Sequence, residues 1–189
     1  MSIKTTFLII FATLILIGLL VSLVMLTSLI AQNQRASVAS EYRRYESFKL
    51  ADELRQSSDD LTRMARTYVV TGDPVYEQYF LEILAIRNGE QPRPENYSGI
   101  YWDFVVATGE KPTSDRPATA LEQLMRQMHF TEEEFLQLQE AQNRSDSLVR
   151  LENVAMNAVK GQFDDGTGHF TIHKAPDLAL ALRLMHGKE

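Results

Sequence analysis

The 189-residue chain contains no cysteine and a single tryptophan. The absence of cysteine excludes disulfides, thiol catalysis and cysteine-ligated metal sites. The short motifs that mark nucleophile elbows, phosphate-binding glycine loops and zinc proteases are absent as well. Adjacent carboxylates such as Asp59 and Asp60 would point about 100° apart on a helix, which is poor geometry for shared acid-base work. We therefore expect no catalytic site in this chain.

Basic runs are also missing, and the charge balance is acidic. After Lys4, the chain carries 18 Lys and Arg against 25 Asp and Glu, a formal charge of −7. Binding of nucleic acid needs a concentrated basic surface, so we expect no nucleic-acid partner.

No cofactor or metal is expected either. His169 and His173 could share one strand face, but two ligands are too few for a zinc site. The loop 164–168 (DDGTG) lacks the alternating ligands and distal glutamate of a calcium loop, so we interpret it as a solvated turn.

The chain does contain a long apolar run at residues 7–30, FLIIFATLILIGLLVSLVMLTSLI. At helical rise this run reaches about 36 Å, enough to cross a hydrocarbon core of about 30 Å. It exceeds the apolar core of a secretory signal peptide, which is the competing interpretation. We assign residues 1–6 to an N-terminal head, 7–30 to a transmembrane helix and 31–189 to an extracytoplasmic helical domain. The Lys and Arg count alone would favour the opposite orientation, but long domains translocate largely regardless of charge.

Long helices are predicted over much of the remaining chain. Residues 31–70 contain neither glycine nor proline, so the membrane helix is expected to continue. Thr71-Gly72-Asp73-Pro74 supplies a glycine that ends this helix and an aspartate and proline that begin the next, which should run antiparallel to about Asn88. Six residues at helical spacing predict the buried face of the first helix: Leu50, Leu54, Leu61, Met64, Ala65 and Tyr68.

The second half of the chain begins with a proline-containing stretch, residues 89–117, which predicts an irregular insert. A third helical region starts near Ala118, and Thr131 with Glu134 forms a capping box for a helix of about 29 residues. Residues 162–163 and 169–172 could form two short strands. The expected fold is mainly α: an N-terminal transmembrane helix that continues into an antiparallel helical bundle with an irregular insert and at most one small β-hairpin.

Two helices have polar interruptions in their apolar faces. Ser57 and Ser58 interrupt the first long helix, and Gln142 and Ser145 interrupt the later one. These residues either lie opposite one another or face solvent or a second copy of the chain.

The stretch 65–79, ARTYVVTGDPVYEQY, resembles the helix-turn-helix segment of bacterial four-helix-bundle sensor domains of the CHASE3 and chemoreceptor type. In those families an N-terminal transmembrane helix leads into an extracytoplasmic bundle, and a second transmembrane helix passes the signal to a cytoplasmic output module. The resemblance implies a dimeric sensor, and the same order of anchor, long helix and turn occurs here.

Two sets of residues are candidate ligand contacts. Segment 97–104 holds three aromatics and Trp102; it is either a hydrophobic plug or one wall of a small-ligand pocket with Arg87, Arg93 and Asp103 as polar contacts. The resemblance implies a second set, Arg63 and Arg66, because related bundles use helix arginines near the dimer seam to hold anionic ligands. The alternative for these two arginines is solvated surface charge.

The favoured function is a membrane-anchored sensory module of a bacterial signal-transduction protein, such as a sensor histidine kinase or a chemoreceptor. Its expected partners are the lipid bilayer, a second copy in a homodimer and an unknown small-molecule or protein ligand. We expect it in the bacterial inner membrane with its main body in the periplasm. Because no second apolar span follows, we expect the chain to be the front of a longer receptor. The alternatives are a single-span scaffold and an anchored enzyme.

Overall fold

The computed structural model of the chain describes residues 3–97, 99–112, 116–128 and 130–187, with the backbone alone for residues 4–10, 12–13, 35–36 and 39. Two compact units, Met1–Tyr45 and Glu46–Glu189, are described separately. The described residues form six helices and two short strands: α1 (Ile3–Thr71), α2 (Pro74–Arg87), α3 (Tyr101–Thr108), α4 (Leu121–Gln127), α5 (Glu132–Val159), β1 (Gln162–Phe163), β2 (Ile172–His173) and α6 (Leu178–His186).

The first unit contains a helical stretch long and apolar enough to cross a membrane. This stretch, Leu14–Gln34, has 21 residues and a mean hydropathy of 2.8. Its one threonine, Thr27, donates its hydroxyl to the carbonyls of Leu23 and Val24 at 3.0 Å each, so the polar group is satisfied within the helix. The predicted span 7–30 overlaps this stretch from residue 14 onward, and most side chains before residue 14 lie outside those described.

The turn between α1 and α2 forms as the sequence predicts. Gly72 adopts a left-handed φ of 69°, and its N–H donates to the Tyr68 carbonyl at 2.7 Å. The Asp73 carboxylate caps α2 by accepting from the Val75 N–H at 3.0 Å. A positive φ is available to glycine at little steric cost, and proline at the first position of a helix loses no hydrogen bond. The chain therefore reverses direction within two residues.

Helix α5 crosses the unit parallel to α1 and antiparallel to α2. Leu54 of α1 packs in one cluster with Leu138, and Thr62 bonds to Glu152, so contacts advance in the same order along α1 and α5. Along α2 the order is reversed, because Glu77 pairs with Lys160 whereas Arg87 pairs with Asp146. The predicted capping box of Thr131 and Glu134 is present at the start of α5.

The insert 89–117, predicted to be irregular, contains the eight-residue helix α3. Gly109 ends this helix in a left-handed conformation with φ 73°. One face of α3 packs into the core through Tyr101, Trp102 and Val105, which are at most 8% exposed. The prolines of the insert predicted irregular structure. They lie outside residues 101–108, however, and the apolar spacing within those residues fits one buried face of a helix.

The C-terminal part packs on α5. Strands β1 and β2 are antiparallel, with Gln162 opposite His173 and Phe163 opposite Ile172. Asp177 caps α6 by accepting from the Leu180 N–H at 2.8 Å. The main core of this second unit joins α1, α2, α3, α5 and α6 through Leu61, Met64, Ala65, Tyr68, Val69, Tyr79, Phe80, Ile83, Ile86, Tyr101, Trp102, Val105, Ala155, Met156, Ala158, Ala181 and Met185.

The chain after β2 approaches the C-terminal end of α5 closely at Gly161, and a substitution at this glycine tests that approach. Its φ is 71°, and an added Cβ would overlap the carbonyl oxygen of Lys174. Gly109 is a matched control, since it ends α3 at φ 73° with no atom within 4 Å of an added Cβ. We expect Gly161→Ala to lower the free energy of unfolding by about 1–3 kcal/mol more than Gly109→Ala, because overlap with backbone adds to the strain of a positive φ. Thermal and denaturant unfolding followed by circular dichroism would measure this difference; equal effects would contradict the close approach.

Candidate functional site

A groove of about 460 Å³ lies between α1 and α5 in the second unit. Leu54, Leu138 and Leu148 give it apolar walls, and Ser58 and Ser145 lie in the same lining. One residue from each of the two polar interruptions predicted from sequence, Ser58 and Ser145, therefore lines the same groove. Its volume falls within the range of about 300–1,000 Å³ that is typical of small-molecule sites. Seven of its twelve lining residues are polar or charged, so the apolar wall is bordered by polar groups on both helices.

The charged residues of the groove form exposed ion pairs. Arg55 donates to Asp52 at 2.9 Å and to Asp59 at 2.8 Å, and Arg144 donates to Glu140 at 2.6 Å. The Arg55 and Arg144 side chains are 65% and 78% exposed. Exposed pairs of this kind contribute little net stability, because water screens them. A ligand carboxylate or phosphate could therefore exchange with these acids at little cost.

Arg87 lies at the edge of the groove in a buried polar network. It is 5% exposed, and it donates to the Ser145 hydroxyl at 2.9 Å and to the Asp146 carboxylate at 2.7 Å. Its Nε has no hydrogen-bond partner among the described residues. Burial lowers the pKa of Arg87, while Asp146 and Glu152 act in the opposite direction.

The same network includes Glu152, which is completely buried. Its Oε1 accepts from the Thr62 hydroxyl at 2.6 Å, while its Oε2 has no partner in the described part of the chain. Burial raises the pKa of Glu152, although Thr62, Arg87 and Arg66 favour the charged form. Sequence reasoning missed this residue; the available signal was a carboxylate between Leu148 and Ala155 on the apolar face of α5.

A second polar cluster attaches the insert to α1. Arg93 donates to Glu53 at 2.8 Å, and the Gly99 N–H donates to the Gln56 side chain at 2.9 Å. Arg63 binds both Asp60, at 2.6 Å, and Asp103. Burial raises the pKa of Glu53 and of Asp60 despite their arginine partners. The insert is therefore held by charged groups on one face of α1.

Inside this cluster is a cavity of about 10 Å³ beside Trp102. The Trp102 indole N–H donates to the Tyr97 hydroxyl at 3.1 Å, and burial raises the pKa of Tyr97 strongly. A cavity of this size holds about one water molecule. A larger ligand at this point would need the insert to move.

The six residues predicted as ligand contacts thus lie in different surroundings. Trp102 is a core residue 3% exposed, Arg63 and Asp103 pair with each other, and Arg93 pairs with Glu53. Arg66 donates its Nε to the Met185 carbonyl at 3.2 Å, at the end of α6. Arg87 belongs to the groove network. The structure joins α1 to the insert through three of the predicted residues, Arg63, Arg93 and Asp103, and it bonds Arg87 to Ser145, which lines the groove.

No protein family, curated protein or solved structure matches the chain.

The loop 164–168 forms a turn whose carboxylates bind its own backbone and hydroxyls. Asp164 Oδ1 accepts from the N–H groups of Gly166 and Gly168 at 2.7 and 3.0 Å. Asp165 accepts from the Thr167 N–H at 2.9 Å and from the Thr171 hydroxyl at 2.8 Å. The Thr167 hydroxyl also donates to Asp165, and this bond, followed by those of the Thr171 hydroxyl and the Thr167 N–H, lowers the pKa of Asp165 to about 2.

Replacement of Asp165 should change the pH dependence of stability. Its pKa is about 2 in the folded chain against a usual value of 3.8, so its charge stabilises the fold above pH 3.8 and the contribution disappears as the pH falls through about 2. We expect Asp165→Asn to lower the melting temperature at pH 7, with the difference from the unmodified chain closing near pH 2. Asp164→Asn is the control, because one amide oxygen can keep both of its bonds. A difference that persists unchanged at pH 2 would rule out this explanation.

Proposed function

We propose that the chain is a membrane-anchored sensory module of a bacterial signal-transduction protein, with the output domain outside this chain. The observation that carries the proposal is the groove between α1 and α5, which combines apolar walls with easily exchanged charges. Helix α1, which supplies one wall, also contains the stretch that fits a membrane span. The resemblance of residues 65–79 to four-helix-bundle sensors supports the same function.

The mechanism requires a ligand that binds two arrangements of the helices with different affinities. A small amphipathic molecule between α1 and α5 would place its apolar part against Leu54 and Leu148 and an anionic group near Arg55 or Arg144. Binding then favours the spacing of α1 and α5 that fits the ligand. Small shifts between packed helices are a common form of switching.

The proposal includes a homodimer, as in the families that the sequence resembles. Val38 and Tyr42 of the first unit are 70% and 65% exposed and lie one helical turn apart. They supply apolar surface that a second copy could cover.

Blocking the groove should abolish ligand binding. Ala141 lines the groove from α5, so Ala141→Trp places a large ring in it; Gln139→Trp, at an exposed position of the same helix outside the lining, is the matched control. The full chain in lipid nanodiscs would be screened with small metabolites by thermal shift, since a ligand at 100 times its Kd stabilises by about 2.7 kcal/mol. We expect stabilising compounds to act on the unmodified chain and on Gln139→Trp and to lose their effect on Ala141→Trp. Compounds that stabilise all three equally bind elsewhere and would count against this groove.

Membrane orientation is tested with fusions of alkaline phosphatase and of a fluorescent protein after Arg116 in living bacteria. We expect an active phosphatase and a dark fluorescent fusion, because the sensory proposal places the second unit in the periplasm. The reverse pattern would place it in the cytoplasm and favour a scaffold.

A further inference from the structure

Glu152 joins three helices in the interior of the second unit. The residue is 0% exposed and lies on α5, its Oε1 accepts from Thr62 of α1, and its charge acts on Arg87 of α2. A buried carboxylate normally needs several hydrogen bonds or a close cation. Glu152 has one hydrogen bond, and its Oε2 has no partner in the described part of the chain.

The surrounding charges only partly balance this carboxylate. Arg87 of α2 and Arg66 of α1 both favour its charged form. Neither arginine forms an ion pair with it, however: Arg87 is bonded to Ser145 and Asp146, and Arg66 to the Met185 carbonyl of α6. The desolvation cost exceeds these attractions, so the pKa of Glu152 is raised above the usual 4.5.

We propose that Glu152 is a proton-binding site and that its protonation tightens the junction of α1, α2 and α5. The neutral carboxyl keeps the Thr62 bond through Oε1 and removes an uncompensated charge from the interior. Protonation gives up the attractions of Arg87 and Arg66, but it also removes the larger cost of keeping the charge away from water. The proton thereby favours the packed arrangement of the three helices.

This site is connected to the groove through Arg87. Arg87 is attracted by Glu152 and donates to the Ser145 hydroxyl, and Ser145 lines the groove. When Glu152 is protonated, its attraction for Arg87 is lost and Arg87 keeps its bonds with Ser145 and Asp146. The spacing of α1 and α5 should therefore respond to pH without any other ligand, and proton and ligand binding should be reciprocally coupled.

The direction of the pH dependence of stability follows from the raised pKa of Glu152. The folded chain binds this proton more tightly than the unfolded chain does, so the stabilising contribution is complete below 4.5 and is lost as the pH rises through the folded pKa. This is the opposite of Asp165, whose contribution is lost in acid.

Glu152→Gln in the full chain in lipid nanodiscs is the principal test. The amide oxygen can still accept from Thr62, while the charge is removed at every pH. We expect a melting temperature several degrees above that of the unmodified chain at pH 7.5, with the gap closing as the pH is lowered to 4.5. Glu133→Gln, at an exposed position of α5, is the matched control and should not show a gap of this size at pH 7.5. A less stable Glu152→Gln variant at pH 7.5, or a gap that does not change with pH, would overturn the proposal.

Two further measurements do not depend on the melting temperature. Infrared spectroscopy of the unmodified chain should show a protonated, buried carboxyl above pH 4.5 that is absent from Glu152→Gln, which separates it from Glu53 and Asp60, whose pKa values burial also raises. A spectrum without such a carboxyl, or one that the substitution leaves unchanged, would overturn the proposal. Spin labels at Phe48→Cys and Asn143→Cys, both exposed in a chain without native cysteine, would report the α1–α5 distance by electron paramagnetic resonance. We expect a shorter or narrower distance distribution in acid, and no change with pH when Glu152→Gln is added. A pH-independent distance in the unmodified chain would reject the proton site and leave the groove's ligand test unaffected.

Discussion

The burial of one face of α1 is the constraint on which the second unit depends. Leu61, Met64 and Ala65 are completely buried, and α2, α3, α5 and α6 supply the residues that pack around them. Full burial of a large apolar side chain contributes about 1.5–3 kcal/mol, so the helices cannot separate without a large loss. Polar residues that flank this face, such as Thr62 and Arg63, consequently lie at helix junctions, where Thr62 bonds to Glu152 of α5 and Arg63 to Asp103 of α3.

The two polar regions that result differ in how freely their bonds exchange. In the groove, Arg55 and Arg144 form exposed pairs that water and a ligand can replace. At the junction, Glu152 and Arg87 are buried, and a lost partner there leaves a charge in a medium of low polarity. A ligand is expected to act on the exposed pairs, whereas a change of charge at the junction alters the packing itself.

Local signals predicted much of the fold. The turn at Gly72, the Asp73 cap and the capping box of Thr131 and Glu134 depend on residues within four positions of each other, and all are present. Helix α3 was not predicted, because it has only eight residues and the prolines on either side of it indicated irregular structure. The predicted ligand residues were chosen by charge and by resemblance, but Arg63 binds Asp103 and Arg93 binds Glu53, each across 40 residues of sequence.

The sequence by itself determined the elements: an apolar helical stretch near the N-terminus, a long α1, a tight reversal into α2 and a capped α5. It could do so because helix ends and amphipathic faces follow from hydrogen bonding and residue spacing along one segment. Tertiary structure decided which polar groups meet. Thr62 and Glu152 are 90 residues apart in sequence, and Arg66 and Met185 are 119 apart. Whether a carboxylate is solvated, paired or buried without a partner depends on the groups that packing brings to it, and no local sequence pattern contains that information.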